Sequence, residues 1–130
     1  MLSTRLISAL GDPHSTLRAT TQRSGPAVII RAGGEIDAAN EHTWLQLVSE
    51  AAAVATAPGP FVVDVDDVDF MGCCGFAVLA DEAERCRRRG VTLLLVSRKP
   101  GVLRIVEACG LGDVLPVHPT TDSALSAAVA

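Results

Sequence analysis

Two adjacent thiols, Cys73 and Cys74, stand between glycines in the run Met71-Gly72-Cys73-Cys74-Gly75-Phe76. A cysteine reacts as its thiolate, and a helix N-terminus favours that form. The residues that follow supply such a helix. Phe76, Leu79, Ala80, Ala83 and Cys86 recur at three- and four-residue steps, the spacing of one helix face. Four carboxylates, Asp64, Asp66, Asp67 and Asp69, lie just upstream. Negative neighbours disfavour a thiolate, so two opposing effects meet at the same sulfurs. Cys86 and Cys109 complete the cysteines. No C-x-x-C and no zinc-type Cys/His spacing occurs. In a reducing compartment the default is four thiols. The commoner fate of helix cysteines such as Cys86 and Cys109 is that of a small buried hydrophobe.

Other chemistry is less well supported. Nucleophilic catalysis would need a base beside a thiol. The three histidines are scattered: His14 in the lead-in, His42 on the first expected helix and His118 in a Pro-flanked loop. The acidic strand end, with Lys99 after a later strand, loosely resembles a phosphoacceptor receiver. A receiver also needs an acidic pair after its first strand, and here that strand leads to Ser24-Gly25. The pattern calls for no cofactor and no metal.

The elements that must hold these residues alternate along the chain. Met1 to Ser15 is weakly patterned, with a turn at Gly11-Asp12-Pro13, and reads as a tail or loosely docked lead-in. Thr16 to Arg23 reads as an edge strand and Ala27 to Ala32 as a second strand, ended by a loop from Gly33 to Asp37. A helix over about 39–55 follows, with Asp37 or a neighbour as its cap. It carries a stripe of Trp44, Leu45, Leu47, Val48, Ala51, Ala52 and Ala55, in which Trp44 packs rather than binds. Phe61 to Val68 is a buried strand, and Asp66 to Asp69 form a tight acidic loop at its end. The helix after Gly72 ends at Gly90. Asp81 and Glu84 stand four residues before Arg85 and Arg88, a spacing that supports its surface. Val91 to Val96 is another strand, Pro100 opens a third helix bearing Val102, Leu103, Ile105, Val106 and Cys109, Val114 to Val117 is a short last strand, and Asp122 starts a final helix. Buried strands alternating with helices predict an α/β fold with a mostly parallel sheet and an antiparallel edge.

Composition narrows the function. At 130 residues the chain is expected to form one domain, 1–130. Its net charge of −4 argues against a duplex-binding protein. Three Phe, one Trp and no Tyr leave little to stack on bases. The basic run Arg85 to Arg89 suits the C-terminal end of a helix. No apolar run has membrane-spanning length, and the expected location is the cytoplasm.

With these elements in order, the chain resembles the STAS domain of anti-sigma factor antagonists. Three stretches carry the likeness. AVIIRAGGEIDAAN is similar to the family's strand and Gly-Glu-Leu-Asp loop; FVVDVDDVDFMGCCGFAVLADEAERCRRRG is similar to its strand, Asp-Ser-Ser-Gly loop and helix; and VTLLLVSRKPGVLRIVEACGLGDVLPVHPTTDSAL is similar to its C-terminal half. The resemblance implies a mostly parallel sheet of four to five strands with helices mainly on one face. It implies a partner, an anti-sigma factor of the serine-kinase type, whose capture frees a sigma factor. Neither nucleic acid nor membrane is a direct partner. By position it implies a binding surface of Gly34, Glu35, Asp37, Met71, Gly72, Cys73, Cys74, Gly75 and Phe76, with Met71 and Phe76 as apolar anchors if exposed. A bulky residue at Gly75 is then expected to abolish binding without unfolding the domain.

Cys74 stands where the family's phosphoacceptor serine would be, Cys73 replaces the other serine and Gly72 the aspartate. A kinase needs a hydroxyl to attack the γ-phosphate, and a thiol does not serve. The resemblance thus implies a retained loop without its phosphorylation chemistry. Two readings stay open. Either the cysteines are serine-like and the antagonist is permanently active, or Cys73, Cys74, Cys109 and Cys86 supply a redox switch. The candidate bridge joins Cys109 to a loop cysteine, and Cys86 and Cys109 are expected at the same end of the domain.

Overall fold

The β-branched run around Phe61 forms the centre of a sheet, and helices cover both of its faces. The structure is a computed structural model that describes residues 2–8 and 16–129, with side chains from 16 to 128. Its elements in chain order are β1 (Leu2–Ser8), β2 (Arg18–Ser24), β3 (Ala27–Ile36), α1 (Glu41–Ala53), β4 (Pro60–Met71), α2 (Cys73–Arg88), β5 (Thr92–Val96), α3 (Pro100–Ala108), β6 (Val117–His118) and α4 (Thr121–Val129). The sheet order is β1-β2-β3-β4-β5-β6. β1, β2 and β3 pair antiparallel, and β3 to β6 pair parallel.

Period-2 alternation divides the core. Phe61, Val63 and Val65 of β4 join Trp44, Leu47, Phe76, Leu79 and Val106 in the larger cluster, which takes in α1, α2 and α3. Val62 faces the other way, with Ile29, Leu94, Val96 and Ala124 of α4. Three helices therefore share one face and α4 covers the other. Trp44 is fully buried, as a packing residue.

Three expectations change. The stretch read as a lead-in contributes β1, so β2 has a strand outside it and is not the edge. A strand added to an existing edge takes its hydrogen bonds from the backbone, so it needs little side-chain pattern. The expected turn at Gly11-Asp12-Pro13 and His14 lie outside the described residues. Next, β3 does not stop at Ala32 but runs to Ile36, with register irregularities at Arg31/Gly33 and Gly34/Glu35. Lastly, Asp66 to Asp69 are not a loop. β4 continues through them to Met71, pairing with β3 beyond the point where β5 ends, since the last β4–β5 pair is Asp64 with Val96. The overhang is a two-strand ribbon, and its solvated side tolerates aspartate.

The basic run is used within the fold. Arg89 donates to the Ala52 and Ala55 carbonyls at 3.1 and 2.8 Å, closing the end of α1. Arg85 pairs with Glu82 at 3.1 Å, Arg87 with Glu84 at 2.7 Å and Arg88 with Glu84 at 3.8 Å. The expected Glu84–Arg88 pair forms, and Glu82 takes the place expected of Asp81. Among the described residues, no helix is long and apolar enough to cross a membrane.

Candidate functional site

β3 and β4 end side by side, and their ends build the site. Ile36 is in register with Met71, and the Gly72 N–H donates to the Ile36 carbonyl at 2.8 Å. The stretches Gly34–Asp37 and Met71–Phe76 are thereby neighbours at the C-terminal end of the parallel strands, where α/β folds usually carry their sites. Gly72 is the extended N-cap of α2, with no side-chain cap. The Gly75 N–H turns back to the Gly72 carbonyl at 2.9 Å.

The loop after β3 is held by side chains. The Asp37 carboxylate accepts from the N–H groups of Ala39 and Asn40 at 3.0 and 3.3 Å. Asn40 is buried; its Oδ1 accepts from the Asp37 N–H at 2.9 Å and its Nδ2 donates to the Glu35 carbonyl at 2.8 Å. Asp37 thus orders the turn that leads into α1. The Glu35 N–H donates to Thr16 Oγ1 at 3.0 Å. Gly34 has φ +91, and a Cβ there would lie 2.1 Å from the Thr16 carbonyl oxygen, so only glycine fits.

Of the nine expected surface residues, Glu35, Asp37 and Cys73 are exposed, Gly72 and Cys74 are half-buried, and Gly34, Met71, Gly75 and Phe76 are buried. Met71 and Phe76 are 8% and 1% exposed, so they are core residues and not surface anchors. Gly75 is likewise a packing residue. A Cβ on it would lie 2.5 Å from Met71 Cγ and 3.0 Å from Ile36 Cγ2, and its carbonyl accepts from Trp44 Nε1 at 3.1 Å. A bulky side chain at Gly75 would therefore disturb the fold. The apolar side chain that does face solvent is Phe70, 55% exposed. It stands in the part of β4 beyond the last β4–β5 pair, a signal readable only once β4 is known to extend that far.

The four cysteines are free: Cys73 and Cys109 exposed, Cys74 half-buried and Cys86 buried. The Cys74 thiol is pushed above its ordinary pKa, first by burial and then by the charge and hydrogen bond of Glu41 at the start of α1. Backbone hydrogen bonds at the helix start act the other way and are outweighed. The carboxylate that acts on the loop is thus Glu41, a residue sequence reasoning missed, rather than the upstream aspartates. Asp64 instead faces Arg31 at 3.7 Å and Thr121 Oγ1 at 3.5 Å, and Asp66 accepts from the Arg98 N–H at 2.8 Å. Burial and then Glu82 raise Cys86 to about 11. Cys86 lies about 18 Å along α2 from Cys74 at the helical rise, well beyond the roughly 7 Å that a disulfide spans between Cα atoms. Cys109 caps the C-terminal end of α3.

Comparison with known proteins agrees with this architecture. The family model for the STAS domain matches residues 18–124. The chain is 67% identical over 113 residues to the anti-sigma-F factor antagonist RsfA of Mycobacterium tuberculosis, covering 87% of this chain and 88% of that one. It is 67% identical over 124 residues to Rv2638 of the same species, provisionally named an anti-anti-sigma factor, covering 95% and 84% of the two chains. The crystal structure of an anti-sigma factor antagonist from Mycobacterium paratuberculosis matches with a TM-score of 0.78 at 25% identity, over 95% of this chain and all of that one. On sequence and fold alike, the chain belongs to the STAS-domain family.

Proposed function

We propose that this chain is an anti-anti-sigma factor. It binds an anti-sigma factor of the serine-kinase type in the cytoplasm and so frees a sigma factor for transcription. It acts by binding and not by catalysis. The observation that carries the reading is the junction of the β3 and β4 ends, where Glu35, Asp37 and Cys73 face solvent together around the start of α2. The names of the 67% identical relatives support the same partner class.

Phosphorylation does not switch this loop, because Cys74 has no hydroxyl to attack a γ-phosphate. The cysteines act as small, serine-like residues, and the antagonist is active whenever it is present. The raised thiols of Cys74 and Cys86 support this at those two positions, since both are held in the unreactive neutral form; Cys73 and Cys109 are exposed, and they are the pair whose oxidation the test below reads.

The test is binding to purified anti-sigma factors of the same cell by titration calorimetry. The reduced chain should bind one of them. Cys73→Arg, an exposed change, should weaken that binding at least about tenfold, as truncation or blockage of an interface centre does. Incubation with ATP should leave residue 74 unphosphorylated by mass spectrometry, and mild oxidation should leave the affinity unchanged. Binding by the reduced chain alone would instead establish a thiol switch. Absence of binding to any candidate would remove the function.

A further inference from the structure

Beside the junction lies a groove that the family's loop motifs do not mark. It occupies about 200 Å³ between the β4 overhang and α3. Its floor is Val65, Val68, Met71 and Phe76, all buried core residues. Phe70 and Ile105 line its mouth, 55% and 36% exposed. The groove exists because β4 outruns β5. Beyond Asp64 the carbonyls on that side of β4 have no strand partner, and the chain after β5 supplies substitutes. Lys99 Nζ donates to the Val68 carbonyl, and the Arg98 N–H donates to the Asp66 side-chain carboxylate rather than to a backbone carbonyl. These two bonds tie the segment leading into α3 to the overhang, and Lys99 also lines the groove.

The surroundings say what fits. Glu35, Asp37, Asp67 and Asp69 are exposed at this end of the sheet, with Asp66 half-buried among them. Of these five carboxylates Asp69 lines the groove, together with Lys99, whose ammonium is committed to Val68; Arg98 stands beside Asp66, and the Arg18 guanidinium lies over Gly33, the register partner of Asp67. Five carboxylates against three cations leave the surroundings acidic on balance, while the floor and the large side chains at the mouth are apolar. Exposed aromatic side chains beside a pocket are the usual anchors of protein interfaces, and acidic surroundings select a basic counterpart.

We infer that this groove is a second contact site for the anti-sigma factor, seating an apolar side chain from a segment that carries Lys or Arg on either side of it. The inference rests on the proposed function and names the chemistry of the partner segment. The junction at Cys73 and the groove at Phe70 meet through Met71 and Phe76, so one partner surface can cover both.

The experiment uses the purified anti-sigma factor that binds the wild-type chain. Phe70→Ala should weaken binding at least about tenfold, and Ile105→Ala should weaken it to a lesser degree. Leu103→Ala, on the same helix but outside the groove lining, should leave the affinity unchanged. Affinity should fall with added salt, and Asp67→Asn with Asp69→Asn should flatten that dependence and slow association. The fluorescence of Trp44 verifies that each variant folds. If Cys73→Arg abolishes binding while Phe70→Ala and Ile105→Ala bind as the wild type does, the groove inference fails and the proposed function stands. If affinity does not respond to salt, the basic segment is wrong and the inference is overturned as stated. If Phe70→Ala dissociates a dimer of this chain and leaves the partner affinity unchanged, the groove holds a second copy and the inference is again overturned. If the wild-type chain binds no anti-sigma factor, the proposed function falls and takes the inference with it.

Discussion

Glu41, the first residue of α1, acts on Cys74, the second residue of α2, and by its charge and hydrogen bonding favours the protonated thiol. The two helix starts thereby meet, with a carboxylate set against the Cys74 thiol. Less of Cys74 is thiolate at neutral pH than in a free cysteine. In a Cys73→Ser background, alkylation of Cys74 near neutral pH, followed by peptide mass spectrometry, should be slower than that of a model thiol. Glu41→Gln should speed it. Equal rates with and without Glu41 would show that burial alone sets the shift.

Cys86 gives the fold a pH dependence of its own. Its thiol is raised from an ordinary 9.0 to about 11, so the folded state holds the proton more tightly than the unfolded chain. The stability this contributes is complete below about pH 9 and is lost as pH rises towards about 11. The chain has no tyrosine and one lysine, and the Cys74 thiol, raised in the same direction, adds to the decline, so the comparison with a Cys86 variant isolates this thiol's share. Urea unfolding of the wild type should weaken across this window. Cys86→Ala should show a shallower decline, from a lower neutral-pH stability because a small cavity replaces the sulfur.

Gly75→Ala tests packing and not recognition. The added methyl meets Met71 and Ile36, and Met71 can clear it only by changing χ1 within a buried site. A loss of about 1–3 kcal/mol, usual for overpacking, should appear as a lower urea midpoint. Unchanged stability would mean that Met71 repacks freely and that Gly75 is available as an interface probe after all.

Gly34→Ala should be worse. The residue must adopt a positive φ, a strain of about 1–3 kcal/mol for a non-glycine residue, and its Cβ meets a backbone oxygen that no rotamer change can move. Thermal unfolding should show a large drop in Tm or a failure to fold. A mild effect would show that the start of β2 shifts to make room.

Trp44→Phe removes one hydrogen bond from a fully buried site and leaves the Gly75 carbonyl with one partner fewer. A loss of about 0.5–1.5 kcal/mol is expected, the net worth of one hydrogen bond, because the carbonyl keeps its place in the ladder of α2. Circular dichroism must follow this variant, since Trp44 is the only tryptophan.

Much of this protein is written locally. A β-branched run followed by a 3.6-residue repeat makes Phe61 to Gly90 a strand and then a helix whatever surrounds it, because both patterns act over a few residues. That Cys73 and Cys74 carry thiols and no hydroxyl needs no coordinates. The single-faced stripe around Trp44 likewise announces a packed helix. Tertiary structure alone decided what each face of an element meets. Aspartates that look like a loop are strand, because β3 reaches past the end of β5 to pair with them. Met71 and Phe76 are core while Phe70 is exposed, because burial depends on which helices lie over each side of the sheet. The thiol at position 74 answers to Glu41, a residue distant in sequence, because α1 and α2 begin at the same edge. Propensity and periodicity are properties of neighbours in sequence; burial, charge environment and the groove beside α3 are properties of neighbours in space.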